Sequence, residues 1–553
     1  MDPVSRVPVL IIGGGIVGLS ASLFLTQQGI KSVLVERHSG TSIHPRARSV
    51  NARTMELYRS LGIDDLVREA GASMSATMGI HSGGSLREVM EAKKRTDGPR
   101  KMPLSGLLAS TSPAAGTFVT QDMIEPVLRA VAEERGGDLR FSTDRVGDVD
   151  QDEDGVTARL KDRKTGVTST IRADYLIAAD GAGSPIRTQL QIPTTGRGTM
   201  GYLLNILFHA DLKSLVHQRE FSLCMIDRPE VCGLFTSINN SDRWVFHLSY
   251  DPAKGETASD FTTDKCIKLL HLALGMPDIQ IDIQSILPWE PSVRIAQRLQ
   301  HGRIFLAGDA AHQMPPWAGQ GANSGIADVS NLACKLAAVL KGTASKTLLE
   351  TYDVERIPVG RAAAEASANA ADERGIISTK KNLSTALSLW SRISLISGHG
   401  YGYTSKAICA ESTFPLGGWT WRPWTLPSLF LSIDGRPGRR VPHIWVGQQG
   451  RRISTLDLCG SSFLLLAGSN GAPWLDAAKV VSSILSCDLD AYTLGPDGTL
   501  VDIRGEFEPA AGISSGGALL VRPDGFVVWR ERRAVSDSQV RLEQAMRQAL
   551  CLQ

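Results

Sequence analysis

The chain opens on an apolar run, Val7-Pro-Val-Leu-Ile-Ile12, of the kind that forms a strand buried on both faces of a parallel sheet. Residues 13–18 are then glycine-rich, and Leu19 to Gln28 carry apolar side chains at helical spacing, with Gly29 where a helix stop belongs. Lys31 to Arg37 return to a strand pattern that ends in an acid, Glu36, beside Arg37. Two further apolar runs meet an acid and glycines. Tyr175-Leu-Ile-Ala-Ala leads into Asp180-Gly181, and Arg303-Ile-Phe-Leu-Ala leads into Gly308-Asp309, with a helix expected from about Asn323 to Leu340. Between them, residues 196–294 alternate apolar and polar, as in Arg243-Trp-Val-Phe-His-Leu-Ser-Tyr250. Period two predicts a sheet with one face on a core and the other free to roof a cavity.

The first of these patterns carries chemistry. Gly13-Gly-Gly15-Ile-Val-Gly18 reads GxGxxG between a strand and a helix. Gly13 permits the tight turn, Gly15 lets the backbone approach a pyrophosphate, and Gly18 lets helix and strand pack closely. The helix start offers free N–H groups and a positive dipole end to phosphate. Glu36, eighteen residues past Gly18, is placed to accept hydrogen bonds from a ribose diol. The pattern predicts a Rossmann-like dinucleotide site and by itself leaves FAD and NAD both open.

Composition narrows the surroundings. With 553 residues, two or three domains are expected. A formal net charge of +2 gives no reason to invoke nucleic acid or an anionic membrane. No apolar run approaches the roughly 18 residues of a membrane span, and the first residues lack a secretory pattern, so a cytoplasmic location is expected. The eight cysteines are dispersed with no CxxC pair, which predicts reduced thiols and neither a disulfide framework nor a metal site.

Taken in order and spacing, the three motifs resemble those of the group A aromatic hydroxylases, the para-hydroxybenzoate hydroxylase-like flavoproteins. That resemblance implies FAD, with NADPH or NADH as co-substrate. It implies that Asp309 binds the ribityl chain, and that Asp180-Gly181 lies between flavin and nicotinamide sites. Pro315-Pro316-Trp317-Ala-Gly319-Gln-Gly321-Ala322-Asn323 would wrap the isoalloxazine, with the N–H groups of Ala322 and Asn323 near its pyrimidine edge. Arg46 matches the family arginine that reaches the cofactor and Gln121 its cofactor-binding glutamine, while Glu36 and Arg37 close the dinucleotide unit. Trp317 departs from the usual threonine or phenylalanine and becomes a candidate wall of the substrate pocket. His312 is read as ordering the Gly308-Asp309 turn.

Within the family, Asn51-Ala-Arg-Thr-Met-Glu-Leu and Trp289-Glu-Pro-Ser-Val-Arg294 resemble the polyketide-tailoring hydroxylases of tetracenomycin and anthracycline type. The implied reaction is attack by an electron-rich aromatic carbon on a flavin C4a-hydroperoxide formed from O2. His209, His247, Tyr202 and Arg243 fall in the covering segment and are candidates for activating a phenolic substrate. The sequence does not choose among them. The expected organisation is an FAD-binding domain (1–75, 105–195, 295–375) and a substrate-covering β-sheet domain (76–104, 196–294). A helical or irregular connection (376–425) and a thioredoxin-like C-terminal domain (426–553) without its cysteine pair complete it. Baeyer–Villiger or epoxidising chemistry on this fold, a non-catalytic flavin-binding partner protein, and a homo-oligomer all remain open.

Overall fold

The computed structural model describes residues 5–74, 79–93, 110–316, 319–372, 374–376, 398–411 and 433–552. Its first sheet is built around the N-terminal strand Ser5–Ile12, which runs parallel to Ser32–Val35 on one side and Thr168–Ala178 on the other. The order continues outward to Asp138–Arg140 at one end and, through Ile304–Leu306, to Gln300–His301 at the other. Val9, Leu10 and Ile11 have no exposure. This is why the run reads as continuously apolar: the strand is central in its sheet and its side chains are buried on both faces. Helix Ile16–Gln27 packs against helices Gln121–Glu134 and Gln320–Leu340. The last begins three residues before the expected Asn323, because Gly319 adopts a left-handed conformation (φ 66°) and opens the helix itself.

A six-stranded sheet lies over this unit in the order Asp282–Trp289, Tyr202–His209, Arg243–Tyr250, Val231–Ser237, Leu223–Arg228, Ile80–Gly83. The period-two pattern sorts its side chains. Leu204, Ile206, Phe208, Trp244, Phe246 and Leu248 form a core with Leu86, Met90, Leu270 and Leu274 of two short covering helices. The opposite face carries Leu203, Asn205, Leu207, Val245 and His247, and it meets the dinucleotide unit through Met123, which packs on Leu207, Ile238 and Val245. Thr194–Thr199, Ser292–Ala296 and His312–Gln313 form a small sheet joining the two units.

Another large sheet holds seven strands, with Phe463–Ala467 parallel to Leu489–Gly495 and antiparallel to Ala518–Val521. Helices Ala472–Leu485 and Ser538–Ala549 pack together on it. The molecule is thus α/β, with the six- and seven-stranded sheets as the two large additions to the dinucleotide unit. All eight cysteines are free thiols.

Candidate functional site

Two glycines of the first turn are fixed by the protein's own backbone, and one is not. A Cβ on Gly13 (φ 110°) would lie 2.2 Å from the Ala179 carbonyl oxygen, and one on Gly18 would lie 1.9 Å from that of Gly13. A Cβ on Gly15 would meet nothing closer than 3.5 Å, so the space above it is open. Around this opening the Glu36 carboxylate accepts from the N–H of Gly14 (2.7 Å) and of His38 (2.8 Å). Arg37 is exposed beside it. Glu125 accepts from the Ile16 N–H at the helix start (2.9 Å), the Ser42 N–H (2.8 Å) and the Gln121 side chain (2.6 Å). Burial pushes its carboxyl upward. Gln121 also holds the next loop, its N–H donating to the Arg46 carbonyl (2.8 Å).

The second and third motifs meet this opening from the far side. Asp180 accepts from the Ser184 hydroxyl (2.6 Å) and the Ile186 N–H, and burial raises its carboxyl. Arg187 donates to the Ala310 carbonyl (2.8 Å), tying the two motifs together. A Cβ on Gly308 (φ 61°) would stand 2.9 Å from Val17 Cγ2, and one on Gly325 of helix Gln320–Leu340 would stand 2.9 Å from the Gly308 Cα, so this approach leaves no room for a larger residue. Asp309 next to it keeps solvent contact yet is surrounded by protein: desolvation raises its carboxyl, while His312 and Arg46 pull the other way. It lines a recess rather than the outer surface. A Cβ on Gly321 would stand 3.8 Å from its Oδ1 with nothing nearer. Asn323 accepts from the Asn51 N–H (2.9 Å) and the Thr54 hydroxyl (2.6 Å), and its own N–H makes a long bond to Gly319 (3.2 Å). Pro316 is exposed at the rim; Trp317 lies outside the described residues.

His312 does order the turn. Its Nε2 lies 2.7 Å from Asp328, whose same oxygen accepts the Gly308 N–H (3.1 Å). The other oxygen of Asp328 takes the Arg356 Nε (2.7 Å).

Four side chains from the covering sheet separate clearly. Tyr202 stands on the face of Leu204 and Phe208, against Tyr250, and so points away from the dinucleotide unit. His209 is half-exposed near Asp242 at the sheet's end. Arg243 pairs with Asp122 (2.5 Å) at the start of helix Gln121–Glu134 and thereby ties sheet to cofactor unit. Only His247 sits mid-face. Its Nδ1 is 2.5 Å from Asn205 Oδ1 and its Nε2 3.0 Å from the Thr236 hydroxyl, and burial depresses it to about 4. Both nitrogens of His247 are therefore committed.

His44 is the residue the sequence did not mark. It is buried two positions before Arg46, with neither ring nitrogen in a hydrogen bond. The Asn205 carbonyl lies near without good geometry, and burial followed by the Arg46 charge lowers the imidazole to about 4. Glu125 and Asp328 were likewise unmarked; an acid four residues after Gln121, on the same helix face, was the one signal available.

A strand-turn-helix with an open glycine, an acid closing the second strand, and a Gly-Asp turn facing the same opening define a dinucleotide-binding flavoprotein. The chain belongs to that family: residues 6–367 match the FAD binding domain model, and residues 434–551 match the model described as aromatic-ring hydroxylase, C-terminal. It is an FAD-dependent monooxygenase. It is 39% identical to tetracenomycin A2 monooxygenase-dioxygenase of Streptomyces glaucescens over 99% of this chain and 97% of that one. It is also 38% identical to 4-methyl-5-nitrocatechol 5-monooxygenase of a Burkholderia species, covering 99% and 98%. The solved ternary complex of aklavinone-11 hydroxylase with FAD and aklavinone superposes with a TM-score of 0.85 at 35% identity, covering all of both chains. No described helix is long and apolar enough to cross a membrane, and no described cluster of residues could hold a metal ion.

Proposed function

We propose that the protein hydroxylates a polycyclic phenol of polyketide type, with NADPH or NADH as reductant and O2 as oxidant. The observation that carries this reading is the inner face of the six-stranded sheet. Leu203, Met225, Leu234 and Ile376 are buried there with Leu223 and Trp289 packed against them, and this apolar face is crossed by one polar line, Asn205, His247 and Thr236. Such a ceiling suits a flat aromatic body carrying few hydroxyls.

The cofactor fits the residues beneath. The cradle over Gly15 and Gly321 would be filled by a Cβ at either position, and the Ile16 helix start faces the same opening. Glu36 would take the ribose, Asp309 the ribityl chain, and Arg46 and Gln121 the flank; Ala322 and Asn323 would present N–H groups to the pyrimidine edge. FAD bound there supplies hydride acceptance and oxygen activation. The protein's share is orientation, a positive field and exclusion of water.

His44 and His247 are both neutral near pH 7, since each is depressed to about 4. A base that weak does not hold the proton of a phenol of pKa about 10. His44 therefore serves as a hydrogen-bond partner that orients the hydroxyl, while the Arg46 charge favours the phenolate. The test is anaerobic flavin reduction by NADPH against a panel of polycyclic phenols, followed by product mass and connectivity. One strongly stimulating phenol with a one-oxygen ring product supports the reading; a lactone assigns Baeyer–Villiger chemistry; tight flavin with no stimulation by any phenol counts against it.

A further inference from the structure

The C-terminal part has no thiol pair and no described metal cluster, yet it reaches into the cofactor unit through fully buried charges. Arg522 donates both terminal nitrogens to Glu355 (3.0 and 2.9 Å) and its Nε to Asp524 (2.9 Å). Glu355 also takes Lys335 Nζ (2.8 Å), the Ser405 hydroxyl (2.8 Å) and Asn331 (2.8 Å). The next residue on helix Thr351–Ala370, Arg356, points the other way. Its Nε holds Asp328 (2.7 Å), its Nη2 the Ser324 carbonyl (3.1 Å), and its Nη1 donates to the Tyr403 hydroxyl (3.1 Å). Tyr403 belongs to the C-terminal side: its N–H bonds to Gly438 and its ring lies 4.2 Å from that of Phe526, with the Arg522 guanidinium 5.6 Å from its centre.

Simple docking of two units requires only apolar surface, and buried charges are a costly way to achieve it. Here Lys335, Arg356 and Arg522 balance Asp328, Glu355 and Asp524, so no member can be removed cheaply. The chain also has a direction. It ends on Asp328, whose free oxygen grips the Gly308 N–H and His312, the two sides of the turn that carries Asp309. We propose that the C-terminal unit is a positioning element of the flavin site, with Tyr403 and Arg522 fixing Arg356 and Glu355 so that Asp328 holds the Gly308–His312 turn in its cofactor-binding shape. This rests on the assignment of Asp309 to FAD.

Tyr403→Phe removes one hydroxyl and keeps the ring against Phe526; Arg522→Lys keeps the charge and loses the two-pronged bond to Glu355. Each is expected to raise the FAD dissociation constant about 3–10-fold, the scale of weakening one charge-assisted bond at one remove, and to shift the flavin absorption bands or midpoint potential. The control is Arg59→Met. Arg59 bridges the same two units through Asp457 (2.6 Å) but leads nowhere near the turn, so it is expected to lower the melting temperature and leave FAD affinity alone. Asp309→Ala is the reference. If it leaves affinity unchanged, the site assignment fails. If Asp309→Ala weakens FAD while Tyr403→Phe and Arg522→Lys change only the melting temperature, or Arg59→Met weakens FAD equally, the positioning role is overturned.

Discussion

Adding one methyl group separates glycines that serve the fold from glycines that serve the ligand. On the free protein, Gly15→Ala would place its Cβ 3.5 Å from Glu125 and Gly321→Ala its Cβ 3.8 Å from Asp309, both ordinary contacts. Gly15 has φ −76° and ψ −176°, a conformation open to alanine. Gly321 lies in the first turn of helix Gln320–Leu340, where alanine is worth up to about 1 kcal/mol over glycine. The apoproteins are therefore expected to melt at or slightly above the wild-type temperature. With FAD in place the same methyls intrude on a packed contact, at about 1–3 kcal/mol each, which is about 5- to 150-fold in dissociation constant. Gly18→Ala is the opposite case: its Cβ would sit 1.9 Å from the Gly13 oxygen, so the apoprotein itself should be destabilised. The assay is thermal melting of flavin-free protein beside fluorescence titration with FAD. Unchanged FAD affinity in both Gly15→Ala and Gly321→Ala, with intact apoproteins, would refute the placement of the cofactor.

Asp309→Ala should release FAD during purification, and full flavin occupancy after gel filtration would contradict the ribityl role. His44 and His443 are buried and His247 half-buried, and desolvation lowers each to about 4, below the usual 6.5. The unfolded chain binds protons that the fold refuses as pH falls, so this stability is intact above pH 6.5 and is lost progressively towards pH 4. Each contributes at most about 3 kcal/mol; urea melts of the His443→Asn variant against wild type read one share by difference, and parallel pH profiles would deny it. The Arg243–Asp122 pair is partly buried, so a double-mutant cycle on stability should give a coupling of about 1–3 kcal/mol; a value of zero would make the bridge incidental.

The dinucleotide unit was legible because its demands are local. Gly13 and Gly18 sit where a strand must turn into a helix within six residues, and sequence spacing records that. The alternation at 243–250 announced two faces of a strand, but which face looks at the cofactor is decided by Met123 and Asp122, over a hundred residues earlier. Tyr202 and His247 were consequently inseparable on the page and are divided only by pairing register. Glu125 holds the Ile16 amide across 109 residues, and Asp328 acts through Arg356, so neither carries a local signature. The helix start at Gln320 was masked by glycines that read as loop.

The central place of strand Ser5–Ile12 bears on how the chain is made. It leaves the ribosome ahead of its partners: Ser32–Val35 follows at once, but its neighbour Thr168–Ala178 and the Gly308–Asp309 turn come roughly 170 and 300 residues later. At about 5–20 residues per second, the second interval is on the order of 15–60 s. Through roughly the first half of that time one backbone edge of this apolar strand waits for a partner not yet synthesised. The dinucleotide sheet is thus completed late relative to its central strand, and its site is not assembled until the Gly308–Asp309 turn has been made.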